Sequence, residues 1–213
     1  MNLLFDLDGT ISNPVEGITK SINYALVKLG HKKKSSILLS KYIGPSLKTT
    51  FAELLGTYHE EVILEAIAYY RERYFSVGFK ENCLYPGVVE LLEGFRLEKH
   101  RLFIVTSKRE DIASSVAEYF EIDKYFDSVN GCDIYLSKSE LIRRLLKEEA
   151  LDPSETVMIG DRKFDIEAGN QNGIKTIGVL WGYGSEDELK AANASNIVRN
   201  VEELSFYLNK KSF

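Results

Sequence analysis

Leu3-Leu4-Phe5-Asp6-Leu7-Asp8-Gly9-Thr10 is the stretch on which the reading of this chain turns. The apolar run Leu3 to Phe5 has the length and composition of a short buried strand. Strand side chains alternate faces, so Asp6 and Asp8 project to the same side at its C-terminal end. Two carboxylates there repel each other unless a cation or a shared proton stabilises them. Gly9 lets the backbone turn sharply and approach a ligand. A strand end with two acids and a tight turn is where an open α/β sheet places its active site. An isolated Asp-Gly is an ordinary turn, but the whole string directly after a strand points to chemistry.

Outward from this string the pattern changes twice. After Thr10 it is helical for a long way: Ile18, Ile22, Ala25, Leu26 and Leu29 recur at helical spacing, and Gly30 ends that helix. Residues 46–56 and 60–76 give two more helical stretches, the second with an aromatic stripe of Tyr69, Tyr70, Tyr74 and Phe75 that reads as core. Beyond Pro86-Gly87, strands alternate with helices. Leu102 to Val105, Tyr125 to Val129, Thr156 to Ile159 and Thr176 to Leu180 read as strands, and 110–120, 138–149 and 163–172 as helices. Alternation of this kind implies βαβ units and a parallel sheet. The fold class expected is therefore α/β, a doubly wound parallel sheet with an inserted all-helical cap. Residues 1–13 and 83–213 form the core and 14–82 the cap. The insertion follows strand one, so it is expected beside Asp6 and Asp8, where it can act as a lid.

Composition narrows the class. The chain of 213 residues is 44% hydrophobic and 28% charged, as an ordinary globular protein is. A formal net charge of −5 argues against a general nucleic-acid or anionic-membrane binder. No apolar run approaches the length of a membrane span, and the first ten residues lack the basic start of a secretory signal. Cys83 and Cys132 are isolated and read as packed thiols in a reducing compartment, so a cytoplasmic location is expected. His31, His59 and His100 have no zinc-like spacing. Lys32-Lys33-Lys34 reads as a solvated turn, and Gly182-Tyr183-Gly184-Ser185 as a flexible one.

Three further strand ends carry candidate groups: Thr106-Ser107-Lys108, then Ser137-Lys138 at the start of a helix, then Gly160-Asp161 with Asp165 four residues on. In a parallel sheet these ends share one edge, where helix N-termini favour anions. Asp6-Leu7-Asp8-Gly9-Thr10, Thr106 or Ser107, Lys138, and Gly160-Asp161…Asp165, in that order, resemble the four motifs of the haloacid dehalogenase superfamily of phosphohydrolases. Residues 14–82 resemble its helical cap. Ile43-Gly44-Pro45 and Gly178-Val179-Leu180-Trp181-Gly182-Tyr183-Gly184-Ser185 are similar to stretches of the phosphoglycolate-phosphatase-like and 5′-nucleotidase-like subgroup. Two departures are visible: Ser12-Asn13-Pro14 where members often carry an acid, and Lys138-Ser139 where they often have Lys-Pro.

The resemblance implies a Mg²⁺-dependent phosphatase. Asp6 would be the nucleophile that becomes an aspartyl-phosphate, and Asp8 the acid and then the base. Mg²⁺ would be held by the Asp6 carboxylate, the Asp8 main-chain carbonyl and the Asp161 carboxylate. Gly9, Thr10, Thr106, Ser107 and Lys138 would bind the phosphoryl group, and Asp165 would hold Lys138 or Asp161 in place. Asp8 favours phosphoryl transfer over dehalogenation, because the superfamily's dehalogenases lack this second acid. Lys48, Arg71, Arg73 and Arg162 are candidates for meeting an anionic substrate. The expected partner is a small phosphomonoester, phosphoglycolate or a nucleoside 5′-monophosphate, with no nucleic acid and no membrane. The chain is expected to act as a monomer or homodimer. A sugar phosphomutase shares the first motif and is the enzymatic alternative; a phospho-receiver signalling domain is the non-enzymatic one.

Overall fold

The computed structural model of the protein describes residues 1–132 and 135–209. They divide into two compact units: Met1–Asn13 together with the chain from Leu84 onward, and Pro14–Cys83.

The first unit is built on six parallel strands: β1 (Asn2–Phe5), β4 (Arg101–Thr106), β5 (Ser128–Gly131), β6 (Thr156–Gly160), β7 (Lys175–Val179) and β8 (Asn196–Val198), in the spatial order β5-β4-β1-β6-β7-β8. The strand that carries the diagnostic string thus lies centrally, paired with β4 on one side and β6 on the other, with Phe5 opposite Ile104 and Ile159. A central parallel strand is covered on both faces, which is why Leu3-Leu4-Phe5 is apolar at every position. Leu4 packs on one face with Phe103, Met158, Leu141 and Leu145. Phe5, one residue on, turns to the other face and meets Phe95 and Phe126, with ring centroids 6.4 and 6.3 Å away. The helices of this unit are α5 (Val88–Leu97), α6 (Glu110–Tyr119), α7 (Lys138–Glu148), α8 (Lys163–Gln171), α9 (Glu186–Ala191) and α10 (Val201–Asn209). The chain leaves this unit through the short strand β2 (Ser12–Asn13) and returns at β3 (Cys83–Leu84), where the Tyr85 N–H donates to the Ile11 carbonyl.

The second unit is helical: α1 (Val15–Lys28), α2 (Ser36–Leu39), α3 (Leu47–Leu55) and α4 (Glu60–Ser76). Gly30 ends α1 as read from the sequence, with φ +79° and the His31 N–H closing on the Leu26 carbonyl at 2.8 Å. The core of the unit contains Ile22, Leu26, Phe51, Ile67, Tyr70 and Tyr74, all buried, with the Tyr70 and Tyr74 rings stacked at 5.3 Å. Of the aromatic stripe, Tyr70 and Tyr74 are core, while Tyr69 and Phe75 are only half-buried. Lys32, Lys33 and Lys34 are exposed between α1 and α2.

Two sequence expectations need correction. The strand expected at Tyr125 to Val129 runs Ser128–Gly131, because Asp123–Tyr125 closes a 3₁₀ turn and Phe126 is spent on the Phe5 contact. Helices α5, α9 and α10 and the edge strand β8 were absent from the pattern reading. Cys83 is exposed, not packed; only Cys132 is buried, and burial pushes its thiol up to about 11. Among the described residues, no helix is long and apolar enough to cross a membrane.

Candidate active site

The C-terminal ends of β1, β4 and β6 bring the motif residues together. Asp6 follows β1, with its N–H on the Ile159 carbonyl at 2.9 Å, and its side chain is buried. The capping box of α7 aims Lys138 at it. The Ser137 hydroxyl accepts from the Glu140 N–H, Glu140 accepts from the Ser137 N–H, and Lys138 is the first helical residue. The Lys138 ammonium lies 2.9 Å from Asp6 Oδ1 and 2.5 Å from Asp165 Oδ1. The first of these contacts is an ion pair outside hydrogen-bond geometry, so Asp6 Oδ1 stays buried with no hydrogen-bond partner. Burial alone would push the Lys138 ammonium down, but Asp165 and Asp6 together overcome it and hold the lysine charged, above the ordinary range.

Asp165 caps α8: its Oδ2 accepts from the Arg162 N–H at 2.9 Å while its Oδ1 takes Lys138. Both its oxygens are thus engaged, and burial pushes its carboxyl up to about 6. Asp161, directly after β6, is fully buried. Its Oδ2 accepts from the Tyr183 N–H at 2.8 Å, and its Oδ1 lies 3.4 Å from the donating Thr10 hydroxyl. Burial first, then the charges of Asp165 and Asp6, raise its carboxyl well above the usual range. Gly9 has φ +93°, and a Cβ there would stand 2.3 Å from Asp161 Oδ2, so no other residue fits that turn.

Asp6, Asp161 and Asp165 offer carboxylate oxygens all within 4.8 Å of one another. Two of these buried carboxylates share the Lys138 ammonium and the third, Asp161, lies beside them, an excess of negative charge that invites a cation. The donors are all oxygen, which suits a hard divalent ion. Asp165 is already committed to Lys138 and the Arg162 N–H, so Asp6 and Asp161 are the carboxylates best placed to hold it. Asp8 stands apart from this group. Its Oδ2 pairs with the Lys108 ammonium at 2.7 Å, while its Oδ1 is buried without a hydrogen-bond partner. Burial raises the Asp8 carboxyl, Lys108 pulls it back, and the net displacement is upward.

The other sequence candidates fall as follows. Thr106 is buried at the end of β4, and the register of Phe5 against Ile104 brings that end level with the loop after Asp6. Its Oγ1 accepts from the Lys108 N–H at 3.3 Å; Ser107 between them is half-buried. The Arg162 guanidinium pairs with Glu188 at 2.9 Å. In the helical unit Lys48 pairs with Glu60 at 2.9 Å. Arg73 is bound by Glu81 through two hydrogen bonds, at 2.8 and 3.0 Å, and reaches the Ser21 hydroxyl. Arg71 is half-buried in α4.

Sequence reasoning missed two features. Lys108 was passed over although it follows Thr106-Ser107 at a strand end. The Gly182-Tyr183-Gly184 stretch is no free turn. It is pressed against Asp161, where a Cβ on Gly184 would stand 1.9 Å from the Asp161 carbonyl oxygen. The signal was an aromatic residue between two glycines just past a core strand.

Comparison with known proteins accords with this geometry. The sequence profile of the family described as haloacid dehalogenase-like hydrolase matches residues 3–179. A 5′-nucleotidase of Pseudomonas aeruginosa is 41% identical over 206 residues, 95% of this chain and 93% of the relative. Tyrosine-protein kinase PtkA of Mycobacterium tuberculosis is 33% identical over 95% of this chain and 70% of its own length. The crystal structure of a predicted phosphatase from Clostridium acetobutylicum superposes with a TM-score of 0.95 at 35% identity, covering 98% of each chain.

Proposed function

The chain belongs to the haloacid dehalogenase-like hydrolases, and from that premise we propose that it is a Mg²⁺-dependent phosphatase acting through an aspartyl-phosphate on Asp6. Its substrates are small phosphomonoesters, nucleoside 5′-monophosphates first. One observation carries the reading: a buried Asp6 oxygen without a hydrogen-bond partner, at the end of the central strand, beside the Lys138 ammonium and the Asp161 carboxylate.

Asp6 attacks phosphorus, and the bond from phosphorus to the leaving alcohol oxygen breaks. Asp8 gives that oxygen a proton; burial displaces its carboxyl upward, in the direction that favours holding one. Asp8 then takes a proton from water, whose oxygen attacks phosphorus. The bond to Asp6 breaks and inorganic phosphate leaves. Lys138 balances charge between Asp6 and the phosphoryl group, and the Thr106 hydroxyl donates to a phosphoryl oxygen. Gly9, Thr10 and Ser107 complete the phosphoryl cradle. Asp6, Asp161 and the Asp8 carbonyl would hold Mg²⁺, which when bound neutralises carboxylate and phosphoryl charge.

The 41% identity to a 5′-nucleotidase supports a nucleoside monophosphate over phosphoglycolate. Membership of a hydrolase family weighs against a phospho-receiver, and hydrolysis by water distinguishes the reading from a phosphomutase. Two free thiols, Cys83 and Cys132, support a cytoplasmic location. The test is phosphate release from nucleoside monophosphates, phosphoglycolate and sugar phosphates, for the wild type and Asp6→Asn. Turnover is expected with Mg²⁺, silenced by chelation and abolished in the variant. Near-wild-type turnover by Asp6→Asn sinks the covalent route.

A further inference from the structure

The loop after β7 is held by an arrangement the phosphoryl chemistry does not explain. The Leu180 N–H donates to the Val198 carbonyl at 3.0 Å. The Trp181 Nε1–H donates to the Thr10 carbonyl at 2.9 Å, and the Tyr183 hydroxyl to Asn13 Oδ1 at 2.5 Å. Between these two side-chain anchors the backbone is forced against Asp161. A Cβ on Gly182 would stand 2.3 Å from the Asp161 Cβ and 2.4 Å from the Gly9 carbonyl oxygen. The main-chain donor delivered there is the Tyr183 N–H, on Asp161 Oδ2. The phenol that fixes it bonds at both ends of the passage out of the core. Asn13 is the last core residue before the helical unit, and Tyr85, which also hydrogen-bonds the phenol, follows the return.

We propose that Tyr183 is a positioning residue for Asp161: its phenol, anchored on Asn13 and Tyr85, sets the loop so that its own N–H locks one Asp161 oxygen and leaves the other facing the cation site. The inference rests on the cation-dependent reading above, and it adds a residue that touches neither substrate nor ion. Without the phenol's bonds the loop retains only the Trp181 anchor on the motif loop, and Asp161 must be ordered at each binding event. That ordering cost appears as weaker cation binding.

The experiment measures Mn²⁺ binding to the intact protein by electron paramagnetic resonance, for wild type, Tyr183→Phe, Asn13→Ala and the double variant. Each single variant should bind Mn²⁺ roughly three- to tenfold more weakly, the scale of one lost hydrogen bond. The double variant should be scarcely weaker than Tyr183→Phe, because losing the phenol already removes the bond to Asn13. At saturating Mg²⁺ the kcat of Tyr183→Phe should return to near the wild-type value, which a general loss of structure would not allow. Unchanged Mn²⁺ affinity in both single variants overturns the proposal, as does a kcat deficit that saturating Mg²⁺ fails to relieve. A wild type that binds no Mn²⁺ overturns the cation site itself, and this inference with it. If Tyr183→Phe fails to fold, Asn13→Ala decides, because it breaks the same bond from the other side.

Discussion

A buried ammonium shared by two buried carboxylates is an electrostatic compromise, and a third carboxylate beside them leaves it unbalanced. Lys138 answers Asp165 and Asp6; Asp161 accepts from the Tyr183 N–H and, weakly, the Thr10 hydroxyl, with the Arg162 charge a smaller help. Asp161 is therefore where the site stores its cost. Its carboxyl is raised by burial and by the two neighbouring acids. A raised acid contributes stability that is fully present below its unfolded value, about 3.9, and lost as pH rises through the folded one. With the cation chelated, Asp161→Asn should therefore raise Tm at about pH 7.5, and by less at about pH 5. Asn keeps an acceptor for the Tyr183 N–H, so the geometry survives. Mg²⁺ should raise the wild-type Tm by mass action and leave that of the variant nearly unmoved. Thermal melts at the two pH values, with and without Mg²⁺, check this; a variant less stable than wild type at the higher pH refutes the excess-charge account. At this scale the sequence was informative wherever a residue type is rare at its position. Two acids around a strand-end turn stand out. Lys108 does not, because nothing local distinguishes a buried lysine from a solvated one, and its partner Asp8 lies far away along the chain.

Elements convert these side chains into a site by what starts and stops them. Asp6, Thr106 and Asp161 sit where β1, β4 and β6 end, and Lys138 where α7 begins. The α7 start is specified by Ser137 and Glu140, each satisfying the other's main-chain donor. Ser137→Ala removes half of this box and should cost about 1 kcal/mol of stability. It should also lower kcat severalfold, because the first turn that carries Lys138 is then free to fray. Denaturant melts and kcat at saturating substrate measure the two effects; a melt shift with unchanged kcat would mean that Asp6 and Asp165 alone fix Lys138. Strand legibility follows burial. β1, β4, β6 and β7 are interior strands, the first three with continuous apolar runs, and the pattern finds all four within a residue or two. β8 is a three-residue edge strand, Asn196–Val198, too short to show a period. Helix α5 does carry a helical stripe, Val88, Leu91, Leu92 and Phe95, directly after the Pro86-Gly87 turn. The loop of Trp181 and Tyr183 has no period at all; its structure comes from partners at Thr10 and Asn13, which no local rule supplies.

At the scale of the whole molecule, every group proposed for the phosphoryl chemistry falls in one of the two units. Asp6, Asp8, Thr106, Lys138, Asp161 and Asp165 all lie in the unit that holds the sheet, and Pro14–Cys83 contributes none. A phosphatase must still choose among leaving groups, so we propose that the helical unit carries part of that choice through Lys48 and Arg71. Arg73 stands differently. Its side chain is four-fifths buried and bound by Glu81, which Arg73 holds below the usual carboxylate range. Removing Arg73 leaves Glu81, among the described residues, with the half-exposed Lys20 as its ion-pair partner, and the expected loss is stability. Lys48 is an exposed partner of Glu60, an arrangement worth little to the fold. Lys48→Ala and Arg71→Ala should therefore shift the ratio of kcat/KM between a nucleoside monophosphate and p-nitrophenyl phosphate severalfold, with the small ester least affected. It offers no nucleoside for a remote cation to bind, and remote binding energy is what the larger substrate uses. Arg73→Ala should instead lower Tm and leave that ratio unchanged. The two readouts separate the roles cleanly. A substrate ratio unmoved by Lys48→Ala and Arg71→Ala returns both residues to the solvated surface and places specificity in the loops that follow β1, β4 and β7.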